Sequence, residues 1–244
     1  MNLVIDLGNT NQKLALFKMN KLVHFESYKK LSEKRLLKTL QKNPTLTHSI
    51  ISSVIAHSSL LIAHLKDRIH LIELTGHTPI PIINKYRTPA TLGNDRLASA
   101  VAGAAIFPGQ DCLVINAGTC ITYDFINRNK EYIGGAISPG LQMRFRALNT
   151  FTAKLPLVSS LPGNVMTGTD TESSIGSGVI NGITGEIEYF ANQYLKKYPD
   201  LKLILSGGDA NYLVNRLKIN IFAVPNCVLY GLHEILRFNV EERS

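Results

Sequence analysis

The 244-residue chain contains no Gly-Lys dipeptide, so a Walker-type phosphate loop is absent. It also lacks the Gly-x-Ser-x-Gly elbow that exposes a hydrolase nucleophile. Gly176-Ser177-Gly178 misses the later glycine of a dinucleotide fingerprint and follows no strand, which argues against a Rossmann oxidoreductase. Cysteine is scarce: Cys112, Cys120 and Cys227 are widely spaced, odd in number and set in apolar segments, as expected of buried thiols in a reducing compartment. No CxxC pair accompanies the histidines, and the His64 to His70 spacing has no partner ligands, so no zinc site is expected. The longest nearly continuous apolar run, Leu97 to Phe107, is too short to span a bilayer and is broken by Ser99 and Gly103. With no basic segment leading into an apolar signal core, the expectation is a cytoplasmic protein with no membrane partner.

What is present is a globular composition, 45% hydrophobic and 18% charged, in a length that suits one large domain or two ordinary ones. A formal charge of +8 favours anionic ligands. Nucleic acid is not expected, because the basic residues are scattered and not interleaved with aromatics.

Leu3 to Lys13, LVIDLGNTNQK, places a carboxylate, a glycine turn, small polar side chains and a lysine close together. It reads as two strands joined at Gly8-Asn9-Thr10-Asn11. Backbone N–H groups at that turn, with Asn9 and Thr10, can donate to phosphate oxygens, while Lys13 adds a positive charge. Asp6 then faces a phosphate-bound Mg²⁺, directly or through water. The competing reading is a plain hairpin with good turn residues. The pattern recurs at Val114-Ile115-Asn116-Ala117-Gly118-Thr119, which suggests two related halves whose hairpins clamp a triphosphate.

Along the chain, strands are expected at Leu22 to Tyr28, His48 to Val54 and His70 to Leu74, with helices at Leu31 to Gln41 and Ser58 to Ile69. A three-stranded meander followed by alternating helices and strands indicates an α/β sheet of mixed direction, the plan of a ribonuclease H-like unit. The polar stretch Ile82 to Arg96 feeds a helix near Leu97 to Phe107, a good place for a ligand. There Gly93 permits close backbone approach, Asp95 offers a carboxylate and Arg96 a fork for an anion; alternatively Asp95 caps the helix and Arg96 pairs on the surface. The second half repeats the plan with strands Thr119 to Ile126 and Glu131 to Ile137, then a helix with Pro139 in its first turn. Phe151 to Val165 reads as a loop, and a long helix runs from Ser173 to about Lys197 with a threonine or Asp170 as cap. Its face of Gly176, Gly178, Gly182 and Gly185 suggests close approach of another backbone. Strands at Leu201 to Leu205 and Ile219 to Val224 and a helix from Val228 to Phe238 complete the chain, with Ser206-Gly207-Gly208 a turn able to admit adenine or ribose phosphate.

Together these pieces resemble the type III pantothenate kinases of the acetate and sugar kinase, heat-shock chaperone and actin superfamily. The resemblance spans nearly the whole chain and rests on DLGNTNQK (Asp6 to Lys13), GNDR (Gly93 to Arg96), AGTCITYD (Ala117 to Asp124), GGAISPG (Gly134 to Gly140), TDTESSIGSG (Thr169 to Gly178) and SGG (Ser206 to Gly208). It implies two ribonuclease H-like α/β domains, 1–110 and 111–244, with a nucleotide cleft between them. It implies phosphorylation of pantothenate by Mg-ATP, the first step of coenzyme A synthesis, by a homodimer using a monovalent cation, K⁺ or NH₄⁺. By position, Asp6, Leu7, Gly8, Asn9, Thr10, Asn11, Gln12, Lys13 and Thr119 would hold ATP. Tyr86, Gly93, Asn94, Asp95, Arg96 and Thr171 would contact pantothenate, with Asp95 as proton acceptor. The family usually has an aspartate associated with the monovalent cation where this chain has Asn116, which lowers the expected cation affinity. Other readings are a kinase for another hydroxy acid, a regulator that binds nucleotide without turnover, and a ribonuclease H-like nuclease. The last is disfavoured because Asp6 and Asp124 alone make a poor two-metal site.

Overall fold

The computed structural model describes residues 1–53, 59–158 and 165–241, and the chain divides into two compact units. The first comprises Met1–Ile106, Lys130–Tyr132 and Cys227–Ser244. Its strands are β1 (Asn2–Leu7), β2 (Gln12–Lys18), β3 (Lys21–Tyr28), β4 (His48–Ser53), β5 (His70–Glu73) and β6 (Ile83–Asn84). Its helices are α1 (Glu33–Lys42), α2 (Ser59–Lys66), α3 (Asn94–Ile106) and the last helix of the chain, Cys227–Glu241. The main sheet has the order β3-β2-β1-β4-β5, antiparallel across β1–β2 and β2–β3, parallel across β1–β4 and β4–β5. Leu3, Val4 and Ile5 are wholly buried because β1 lies inside this sheet with both faces covered, which is why its sequence is a continuous apolar run and does not alternate. On one face Leu3, Ile5 and Leu14 pack with Leu36, Leu40, Leu61 and Leu65 of α1 and α2. On the other, Phe17 stacks on His233 of the final helix at 4.1 Å. Burial also holds the His233 imidazole at about 4, with the neighbouring Arg237 charge adding to the effect.

The second unit comprises Phe107–Asn129 and Ile133–Asn226. It contains β7 (Cys112–Ala117), β8 (Cys120–Ile126), β9 (Glu131–Pro139), α4 (Leu141–Thr150), α5 (Thr171–Lys197), β10 (Lys202–Ser206), α6 (Ala210–Val214) and β11 (Phe222–Ala223), which makes Cys227–Glu241 α7. The strand order is β11-β10-β7-β8-β9, and β6 pairs with Glu131 and Tyr132 at the start of β9, two residues that group with the first unit. β7 runs antiparallel to β8 and parallel to β10. The order β9-β8-β7-β10-β11 thus repeats β3-β2-β1-β4-β5, with β7 in the place of β1, as the two similar sequence stretches suggest. α5 begins with a reciprocal capping box: Ser173 N donates to Asp170 Oδ1 at 2.8 Å, and Asp170 N donates to Ser173 Oγ at 3.1 Å.

Several expectations change. α7 packs with α3, β1 and β4, so residues from Cys227 onward group with the first unit, whereas the sequence division put them in 111–244. α3 starts at Asn94, before Leu97, so Asp95 lies inside the first turn and is not its cap. Pro139 ends β9, and Gly140 takes the cap position of α4. The strand expected over Ile219 to Val224 shortens to Phe222–Ala223. Among the described residues, a Cβ on Gly178, Gly182 or Gly185 would meet nothing within 4 Å, so these glycines are not explained by close packing. Cys112 and Cys227 are buried as expected, but Cys120 is partly exposed. Val54, Ser58 and residues 159–164 of the expected Phe151 to Val165 loop lie outside the described residues.

Candidate functional site

In the first unit the site is built on the end of β1. Asp6 faces Lys13 across the β1–β2 pair and Ser52 across the parallel β1–β4 pair. Burial pushes the Asp6 carboxyl up to about 6; the Lys13 charge works against this rise, and the Asp95 carboxylate adds to it. Two carboxylates and one ammonium group therefore share a field at the mouth of the hairpin. The turn itself, Asn9, Thr10 and Asn11, is exposed, as a phosphate-facing loop must be. Leu7 and Gln12 point inward: Leu7 is core, and Gln12 Oε1 accepts from Leu31 N at 2.5 Å. Their side chains are committed to the fold, which leaves only their backbone groups for a ligand.

The second part is the start of α3. Asn94 Nδ2 donates to Leu74 O at 3.2 Å, and Leu97 N donates to Gly93 O at 3.1 Å, which together fix where the helix begins. The Asp95 carboxylate folds back over Gly93, so that a Cβ at Gly93 would lie 2.5 Å from Asp95 Oδ1. Arg96 is 6% exposed, its guanidinium 5.6 Å from the centre of the Tyr86 ring. Tyr86 is set by its N–H donating to Asn84 Oδ1 at 3.0 Å and by stacking on Tyr132 at 6.0 Å. Sequence reasoning did not single out Tyr132 or Asn84, and the only signal was their place on the pairing strands β6 and β9. A cavity of about 540 Å³ opens beside this segment, lined by Ser53, Thr75, Thr78, Asn84, Gly93 and Asn94.

Asn116, Thr119 and Thr171 belong to the second unit. Asn116 sits on β7 between Thr122 of β8 and Ser206 of β10. Thr119 is exposed at the β7–β8 turn, where its carbonyl accepts from Gly140 N at 3.1 Å. Gly207, at φ +98°, packs so closely on β7 that a Cβ would lie 2.1 Å from Ala117 O; no other residue type fits this turn. Thr171 opens α5 and lines a second cavity of about 980 Å³ with Arg144, Gly168, Ser174, Ile175 and Val179. Arg144 pairs with Glu186 Oε2 at 2.5 Å and donates to Pro139 O at 2.8 Å. Glu186 Oε1 accepts from Tyr123 Oη at 2.8 Å, so this carboxylate ties β8, α4 and α5 together. Nothing in the sequence marked Glu186, because its partners are remote in the chain. Among the described residues no group of three or more His, Cys, Asp or Glu side chains is placed to hold a metal, and no helix is long and apolar enough to cross a membrane.

Comparison with known proteins agrees with this architecture. A Campylobacter jejuni protein described as a Baf family transcriptional activator superposes with a TM-score of 0.59 at 24% identity, over 98% of this chain and 99% of that one. A glucokinase from an Antarctic psychrotroph gives 0.51 at 12% identity, over 97% and 98%. At such identities these show the fold alone, that of the actin-like ATPases and sugar kinases. A protein of Christiangramia forsetii named type III pantothenate kinase is 46% identical over 240 residues, covering 98% of this chain and 99% of its own length. The family model of the type III pantothenate kinases matches residues 2–193, and with the full-length relative this establishes that the chain belongs to that family.

Proposed function

We propose that this chain transfers the γ-phosphoryl group of ATP to the terminal hydroxyl of pantothenate, the entry step of coenzyme A synthesis. The observation that carries the assignment of roles is the grouping, within the first unit, of the Asp6–Lys13 pair, the Asp95 carboxylate and the buried Arg96 on the Tyr86 ring. The exposed turn Gly8 to Asn11, with the Lys13 ammonium and the backbone of Leu7 and Gln12, binds ATP phosphates; Thr119 is assigned to the same nucleotide by family resemblance. Arg96 takes the pantothenate carboxylate, since a guanidinium fixed on an aromatic ring is preorganised for a planar anion. Tyr86, Gly93, Asn94 and Thr171 are the further acceptor contacts.

In the transfer, the acceptor oxygen bonds to the γ-phosphorus as the bond to the β–γ bridging oxygen breaks. Asp95 takes the hydroxyl proton, and ADP leaves with the bridging electron pair. Such transition states are loose, so most of the acceleration comes from position and charge neutralisation, and a base adds roughly 10²–10⁴-fold. A carboxylate held near 6 by burial suits a Mg²⁺ partner, and Asp6 is the residue that would hold the ion of Mg-ATP, directly or through water. When bound, that ion neutralises phosphate charge. Asn116 is the residue toward the monovalent cation, K⁺ or NH₄⁺; its amide oxygen can ligate but brings no charge, so we expect weak activation. A homodimer in the cytoplasm completes the proposal by family resemblance.

The test is ADP release from Mg-ATP with and without pantothenate, with a panel of other hydroxy acids beside it, for the wild type and Asp95→Asn. Pantothenate-dependent turnover that falls on the order of 10²-fold or more in Asp95→Asn, with nucleotide binding intact, is expected. Turnover with another acid only would move the assignment to that acceptor. Binding without turnover would make the chain a nucleotide-dependent regulator.

A further inference from the structure

We propose that His48 and His70 form a surface site for a divalent transition-metal ion of the imidazole-preferring class, Zn²⁺, Ni²⁺ or Cu²⁺. The two residues are register partners on the parallel strands β4 and β5, so their side chains leave the sheet on the same face. Their ring centres are 5.7 Å apart with the planes at 71°. With metal–nitrogen bonds of about 2.0–2.1 Å, two imidazoles sharing one ion have their centres roughly 5–6 Å apart at tetrahedral or slightly wider angles. The ring separation therefore falls in the range that two imidazoles sharing one ion would show.

The surroundings favour the ligating form. Thr47 Oγ1 lies 2.9 Å from His48 Nδ1. In the tautomer whose Nδ1–H donates to that oxygen, the His48 Nε2 lone pair is free to bind metal, the arrangement in which an outer oxygen orients a ligating histidine. Thr47 O also accepts from His70 N at 2.9 Å, so the same residue braces both histidines.

The chemistry selects the ion. A set of two imidazoles and no carboxylate excludes Mg²⁺ and Ca²⁺, which take oxygen ligands. Two protein ligands leave the remaining positions to water, so the site is open to solvent. Its effect is mechanical: β5 is the edge of the sheet, and an ion bridging His48 to His70 clips that edge to β4, stabilising the folded unit increasingly as the free ion concentration exceeds the dissociation constant. Neither residue belongs to the proposed phosphoryl-transfer machinery, so this inference stands or falls apart from it.

The experiment is isothermal titration of the full untagged chain with Zn²⁺, Ni²⁺ and, as a control, Mg²⁺, on the wild type and on His70→Ala, His48→Ala and Cys120→Ser. His70 is exposed on the edge strand, so His70→Ala keeps the fold, and its unchanged pantothenate-dependent turnover is the check. Expected is one Zn²⁺ or Ni²⁺ per chain in the wild type and in Cys120→Ser, no Mg²⁺ binding, and an affinity loss of about tenfold or more in either histidine variant, the loss of a second ligand held at high effective concentration. A wild type that binds neither ion, wild-type affinity retained in either histidine variant, or loss of binding in Cys120→Ser would each overturn the site.

Discussion

Replacing Gly231 by alanine tests how the proposed catalytic segment is held. Gly231 of α7 faces Ala98 of α3, and a Cβ there would stand 1.8 Å from Ala98 O and 2.5 Å from its carbonyl carbon. Non-bonded contacts of this kind rest near 3.5 Å, so the two helices must open by roughly 1.7 Å or bend. The obstacle is backbone, not a side-chain tip, so no rotamer change relieves it. Forced overpacking of a tight core costs about 1–3 kcal/mol and occasionally more, and here the upper end applies. At 2–4 °C per kcal/mol for a chain of this size, the midpoint should drop by about 6–12 °C. Gly182→Ala is the internal control: the added methyl meets nothing within 4 Å on an exposed face of α5, so the better helix propensity should gain about 0.5–1 kcal/mol. Thermal unfolding followed by calorimetry reads both. Equal midpoints for the two variants would refute the close approach of α7 to α3, and with it the claim that α7 holds the helix carrying Asp95 and Arg96.

Three other outcomes are expected. Gly93→Ala displaces only the tip of the Asp95 side chain, so the midpoint should stay within a degree or two while kcat falls about tenfold or more; a normal kcat would show that the folded-back carboxylate is not the working arrangement. Asp6 has a folded value raised to about 6 against about 4 unfolded, so its contribution is fully present below pH 4 and is lost as pH rises through 6, up to roughly 3 kcal/mol in the unliganded protein. Asp6→Asn should therefore flatten the fall in stability between pH 4 and 7 in denaturant titrations, and an unchanged slope would contradict a buried carboxyl there. Asn116→Asp restores a charge beside the proposed monovalent cation and should lower the K⁺ concentration for half-activation about tenfold, read from rate against K⁺; identical curves would separate Asn116 from the cation.

The plan of the fold was legible where it depended on local pattern. Leu3 to Ile5, the Gly8 turn and the polar run Thr167 to Glu172 each declare a strand, a hairpin or a helix start within a few residues, though not which residue caps the helix, and the echo of Ile5-Asp6 in Ile115-Asn116 suggested two related halves, which the repeated strand order bears out. The candidate residues from Asp6 to Lys13 and from Gly93 to Arg96 were found through family motifs, yet their individual states were not. That Gln12 is spent on Leu31, or that Arg96 lies on Tyr86, depends on partners brought together only by folding.

The clearest failure, α7, has a physical cause. The apolar pattern from Val228 to Phe238 says that the helix is buried on one side but carries no address for its partner. The address lies in shape: Ala98, Ala100, Ala102 and Gly103 make α3 a narrow helix, and Gly231 gives α7 the matching notch. Small residues read singly look like weak helix formers, and the expectation of close approach misled at Gly178, Gly182 and Gly185, where among the described residues nothing lies within 4 Å of an added Cβ. A glycine in a helix thus has two opposite meanings, close packing or none, and only the second helix decides between them. The consequence for function is direct. The helix that positions Asp95 is backed by the last helix of the chain, so truncating α7 removes the support of the proposed base while leaving every family motif of the site in place.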